Sequence, residues 1–174
     1  MCADAGAVTP ALFDIARNYM NFIYNDGGRK TAGYQGRAGD CVARSIAIAT
    51  GKPYQEVYTA LAEGTGKQRA RRRTGLERQW NVPARKSPAS ARNGIDTRRK
   101  WFRDYMASIG WRWVPTMQIG QGCKVHLADG ELPPGRLIVA VSKHYTAVID
   151  GAVQDTHNPQ RESGRCVYGY WIKA

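Results

Sequence analysis

Gln35–Gly36–Arg37–Ala38–Gly39–Asp40–Cys41, followed by the run Val42–Ala43–Arg44–Ser45–Ile46–Ala47–Ile48–Ala49–Thr50, is the stretch whose reading decides the fold. Asp40 is a good helix N-cap. Val42, Ile46 and Ala49 recur at helical spacing, and Gly51 offers the left-handed stop, so a helix is expected from Cys41 to Thr50. A thiol in the first turn of that helix feels the positive end of the dipole, which favours the thiolate. Gln35, six residues upstream, carries an amide donor that a loop of this length can fold back beside the sulfur. A nucleophilic cysteine needs an activated sulfur and a donor aimed at the developing oxyanion. By itself, a lone cysteine at a helix start reads first as a small core residue.

The last third of the chain changes that balance. Leu137–Val141 is a short apolar run suited to a strand buried on both faces. His144–Ile149, Ala152–Thr156 and Cys166–Ile172 read as three more strands, and Asp150–Gly151 is a strong hairpin signal. With those two as loop residues, Ile149 faces Ala152 and His144 faces His157. His144 and Asp155 become same-face diagonal neighbours, while Asn158 falls on the other parity. A histidine with an acid to orient it, a helix-start cysteine and an upstream glutamine supply base, orienter, nucleophile and oxyanion donor. Asp155 is the third member by register, with His157 and Asn158 as alternatives.

The remaining elements follow from periodicity. Thr9 and Pro10 open an amphipathic helix whose Leu12, Ile15, Tyr19, Phe22 and Ile23 face a core, ending at Asn25–Asp26–Gly27–Gly28. Pro53 begins a helix with Tyr54, Val57, Tyr58 and Leu61 on one face, which Gly64–Thr65–Gly66 should end. Asp96 or Thr97 caps a helix through Ile109, and Trp111–Pro115 alternates like a strand.

The chain has 174 residues and a net charge of +12, enough length for one domain over residues 1–174. No apolar run approaches a membrane span. The start, Met1 to Ala11, lacks the basic region of a secretory signal, so the four cysteines (Cys2, Cys41, Cys123, Cys166) are expected as reduced thiols in a cytoplasm. Cys123 and His126 have half a metal site's spacing, but no second pair matches it, so neither a metal nor another cofactor is expected. The charge is concentrated. Residues 67–100 hold 12 of the 26 Lys and Arg residues with Glu77 and Asp96 as the two acids, a net +10. That tract, densest at Arg71–Arg72–Arg73, reads either as a solvated, mobile excursion or as a surface for nucleic acid or an acidic partner.

The set Gln35–Gly36, Cys41 on a helix start and His144 opening a β-hairpin resembles the papain-like cysteine peptidases. The compact spacing to Asp155 resembles small bacterial members, such as double-glycine leader peptidases and transglutaminase-like proteins, more than papain itself. Gly39–Asp40–Cys41–Val42–Ala43–Arg44 and Asp155–Thr156–His157 also resemble uncharacterised proteins of phages and proteobacteria. The chain departs from papain before Cys41, where the aromatic-flanked Cys–Gly motif is missing, and at Asp155, where papain has asparagine. The resemblance implies an α+β fold in which N-terminal helices, one bearing Cys41, pack on a C-terminal antiparallel β-sheet. It implies acyl transfer on a peptide or protein substrate by Cys41, His144 and Asp155, with Gln35 holding the oxyanion. The rival expectation is a non-catalytic scaffold of the same fold that binds nucleic acid or an acidic protein through residues 67–100.

Overall fold

The computed structural model describes residues 19–36, 39–68, 73–84, 88–92, 95–162 and 164–174. Its elements are β1 (Asn21–Tyr24), α1 (Cys41–Thr50), α2 (Tyr54–Lys67), α3 (Gly75–Gln79), α4 (Lys100–Ser108), β2 (Trp111–Pro115), β3 (Arg136–Val141), β4 (His144–Ile149), β5 (Ala152–Asp155) and β6 (Val167–Lys173). The class is α+β. The strands form one six-stranded sheet in the order β1-β5-β4-β3-β6-β2.

The helix at Cys41 has the expected limits, and Gly51 closes it at φ 73° with its N–H on the Ala47 carbonyl. Ile46 is fully buried, and α1 packs against β3, β4 and β5. Burial of a side chain of that size stabilises by roughly 1.5–3 kcal/mol. Arg136, at the start of β3, donates from Nη2 to the Ile48 carbonyl at 2.7 Å, tying the negative end of α1 to the sheet. The strand β3 is buried on both faces as expected. Ile138 faces the core under α1, α2 and α4, while Leu137, Val139 and Val141 face a second core closed by Met20 and Leu127.

Four expectations are corrected. The N-terminal helix falls largely on residues 1–18, outside the described residues, but Asn21–Tyr24 is a strand rather than the helix's end. Phe22 and Ile23 favour strands, and the open edge of β5 offers them a ladder. That pairing, Asn21 with Ala152 through Tyr24 with Asp155, is parallel, so the sheet is mixed rather than antiparallel. Gly64–Thr65–Gly66 does not end α2. A Cβ at Gly64 would lie 2.3 Å from the Trp101 ring, and one at Gly66 2.9 Å from the Ala89 Cβ, so these glycines permit close packing inside a continuing helix. Finally, Cys123 and Cys166 are joined in a disulfide. His126 bridges Cys166, and Val167 N–H donates to the Val125 carbonyl, which draws the two cysteines together. The expectation of four reduced thiols, and the ground it gave for a cytoplasmic location, therefore fails. Among the described residues no helix is long and apolar enough to cross a membrane.

The basic tract is only partly an excursion. Its α3 carries a full capping box, Thr74 with Glu77, and leaves Leu76 in its first turn and Trp80 at its C-cap exposed. Further along, Ala91 is buried and Ile95 packs against the same core as α1.

Candidate active site

Cys41, the first residue of α1, lines a cleft of about 500 Å³ with Lys143, His144 and His157 on the sheet side and Ala91 and Ile95 from the basic tract. Two tight turns put the histidine there. Val141 pairs with His144 across Ser142–Lys143, where Lys143 takes φ 56°, so His144 opens β4 at the cleft mouth. Asp150 and Gly151, at φ 47° and 78°, form the primed turn that suits a hairpin. Its ladder runs Ile149–Ala152, Val148–Val153 and Ala147–Gln154, the register read from the sequence. That register lets His144 Nε2 donate to Asp155 Oδ2 at 2.7 Å. Nδ1 is left for the sulfur.

The electrostatics follow from this order. Burial is the largest influence on Cys41 and opposes its ionisation. The hydrogen bond and charge of His144, the Tyr145 backbone N–H and the Arg44 charge outweigh it, and the thiol pKa is lowered. His144 is likewise disfavoured as a cation by burial, but its bonds to Asp155 and Cys41 push it up to about 9. For Asp155, burial alone would raise the pKa. His144 and Arg44 bring it below the usual carboxylate range.

Behind the His144–Asp155 pair lies a buried chain of charge. Arg44, 2% exposed, donates from Nη2 to Asp155 Oδ1 at 3.1 Å and from Nη1 to Asp40 Oδ1. Asp40, 1% exposed, also accepts from Arg29 Nε at 2.9 Å and from the Tyr54 hydroxyl. Arg29 reaches on to the Tyr34 and Gln35 carbonyls at 3.0 and 3.1 Å, which shapes the loop before the cysteine. Burial would raise the Asp40 pKa, but the Tyr54 hydroxyl and the two guanidiniums lower it. Asp40 stands at the N-cap position, yet its side chain makes no cap bond. Two guanidiniums and a phenol are stronger donors to a buried carboxylate than one helix N–H. Sequence reading missed Arg29, Arg44 and Tyr54. The available signal was Arg44 itself, a charge inside the apolar run of α1, which a buried face tolerates only if paired.

The structure brings Cys41, His144 and Asp155 together and leaves Gln35 apart. Gln35 is exposed and lines a neighbouring depression with Tyr24, Arg29, Tyr34 and Thr156 rather than the Cys41 cleft. His157 stacks near His144, ring centres 4.9 Å apart, and Asn158 accepts from Gln160, so neither takes the place of Asp155. Donor atoms of His144, Asp155 and His157 lie within 4.8 Å of one another, close enough to ask whether they could hold a cation. Both oxygens of Asp155 are already engaged, Oδ1 by Arg44 and the Thr156 N–H, and the guanidinium beside it opposes a second positive charge. The set suits a hydrogen-bonded acid–base pair. Of the basic triplet, Arg71 and Arg72 lie outside the described residues, and Arg73 donates to the Val82 carbonyl at 3.1 Å.

No protein-family model, no curated protein and no solved structure matches the chain. A functional reading therefore rests on the geometry of the site.

Proposed function

We propose that this chain is a papain-like enzyme of thiol-dependent acyl transfer on a peptide or amide bond. The observation that carries the reading is the order Asp155–His144–Cys41, with the acid on Nε2 at 2.7 Å and the sulfur at a helix start. His144 takes the thiol proton, giving a thiolate–imidazolium pair. The thiolate attacks the carbonyl carbon, and the free N–H groups of the first turn of α1 face the developing oxyanion. The imidazolium protonates the leaving amine as the C–N bond breaks, leaving a thioester on Cys41. His144 then deprotonates the acceptor, water or an amine, whose attack breaks the C–S bond and restores the thiolate. Asp155 holds the ring's orientation throughout.

The test is alkylation with iodoacetamide near pH 6, read by mass spectrometry. An ordinary thiol of pKa about 8.5 is almost wholly protonated there. Cys41 should label ahead of Cys2, and His144→Ala should remove that preference. Equal labelling of both would sink the reading. Cys41→Ser should keep the fold and lose acyl transfer.

A second reading, binding of nucleic acid through residues 67–100, is favoured by one observation. Trp80 is 75% exposed on the short α3 and available for stacking on a base. Affinity for single-stranded nucleic acid should then fall steeply with salt, and Trp80→Ala should weaken it. Salt-insensitive or undetectable binding removes this reading.

A further inference from the structure

Beside the Cys41 cleft lies a second groove of about 390 Å³, walled by Trp113, Tyr168 and Trp171. Val141 and Tyr145 line both, so the two form one continuous surface. Arg98 and Arg103 also line the groove. Arg98 is paired with Asp96 at 2.9 Å, and Asp104 of α4 is held by Lys100 at 2.7 Å. Arg103 makes no ion pair among the described residues. Trp171, 4% exposed, has an indole N–H without a hydrogen-bond partner. That nitrogen is itself closed off from solvent, so the wall the ring gives the groove is apolar. The guanidinium adds the sign of the charge. Arginine binds carboxylates through a planar fork and packs its stem on aromatic rings.

We propose that this groove is the subsite for an acidic side chain of the substrate, an aspartate or glutamate close in sequence to the acyl group that Cys41 attacks. The inference rests on the acyl-transfer reading. Its walls take up the apolar stem of the acid, and its guanidinium takes the carboxylate. A single arginine, unpaired among the described residues, suits a monoanion better than the repeated phosphates of a nucleic acid. The Thr97 and Tyr145 hydroxyls, 2.8 Å apart, hold the Tyr145 ring where the two pockets meet.

The experiment compares electrophilic peptide probes of equal length, vinyl sulfones with glutamate or glutamine at each of the first three positions on the acyl side. Labelling of Cys41 is timed for each, with iodoacetamide as the small reagent that does not reach the groove. At one position the glutamate probe should react about fivefold faster or more, the size of a partly exposed charge-assisted contact. Arg103→Ala should bring that ratio close to one and leave the iodoacetamide rate unchanged. Arg103→Lys should restore part of the preference, and Arg103→Glu should turn it towards a lysine probe. Selective iodoacetamide labelling with equal rates for both probes at every position would overturn the subsite and leave the acyl-transfer reading standing. A preference that survives Arg103→Ala would overturn it too. Loss of selective Cys41 labelling altogether would instead remove the acyl-transfer reading and the subsite with it. Arg103-dependent binding of a single-stranded oligonucleotide would reassign the groove to phosphate and overturn the proposal.

Discussion

Two sets of arginines divide the work of this molecule. Arg29 and Arg44 are buried, each held by a carboxylate at hydrogen-bond distance, and through Asp40 and Asp155 they reach the ring of His144. The arginines of 67–100 are a larger group, yet the pairs described there lie at the surface, such as Arg98 with Asp96 at 2.9 Å. Charge buried among partners fixes the position of other groups, because losing one partner leaves an uncompensated ion in a medium of low dielectric. Charge in solvent is screened and mobile, so it acts on what approaches the surface. The same residue type therefore serves as a brace in one region and as a field in the other.

The comparison breaks most easily at Arg44. Arg44→Ala should lower stability in urea by about 3–5 kcal/mol, the range for breaking a buried pair. A loss below 1 kcal/mol would mean that the buried chain is no brace. Less drastic is Asp155→Asn, which removes the main partner that raises His144. By NMR the ring pKa should drop from about 9 to the ordinary 6.5 or below. The pH at which Cys41 becomes reactive should rise with it.

A third effect is the pH profile of stability. His144 is raised in the fold, so what its charged ring contributes is complete below about pH 6.5 and is lost as pH climbs through 9. Asp155 is lowered, so its contribution is complete above the ordinary 3.8 and is lost as pH falls through its depressed value. The lowered Cys41 thiol contributes with the opposite sign over the same range, so the decline is read in Cys41→Ser, where unfolding midpoints should fall on the alkaline side and a further His144→Gln should flatten that fall. The smallest effect belongs to the surface: Lys100→Ala should change stability by less than about 0.5 kcal/mol. A cost as large as that of Arg44→Ala would erase the distinction between the two regions.

How much was legible depended on how local the cause is. The β4–β5 hairpin could be read to the residue because Asp150–Gly151 fixes the register and period two carries it as far as Asp155. The helix at Cys41 was legible for the same reason, its cap position, stripe and Gly51 stop lying within a dozen residues. Gln35 stood within a loop's reach of the sulfur, but the loop is shaped by Arg29, whose guanidinium runs inward to Asp40. The apolar pattern of the basic tract gave no sign that Ala91 and Ile95 would wall the cleft, since neither is part of a periodic segment.

By itself, the sequence determined the α+β class, the helix that presents Cys41, and the Asp150–Gly151 turn whose register sets His144 beside Asp155. Tertiary structure decided that Phe22 and Ile23 extend the sheet, that Gly64 and Gly66 lie inside a helix, that Cys123 finds Cys166, and that Arg44 joins Asp40 to Asp155. The physical reason is the same in each case. Turns and caps are satisfied by neighbours a few residues away, whereas a sheet edge, a close packing contact, a disulfide or a buried charge takes its partner from a distant segment. Only the folded chain brings that segment near.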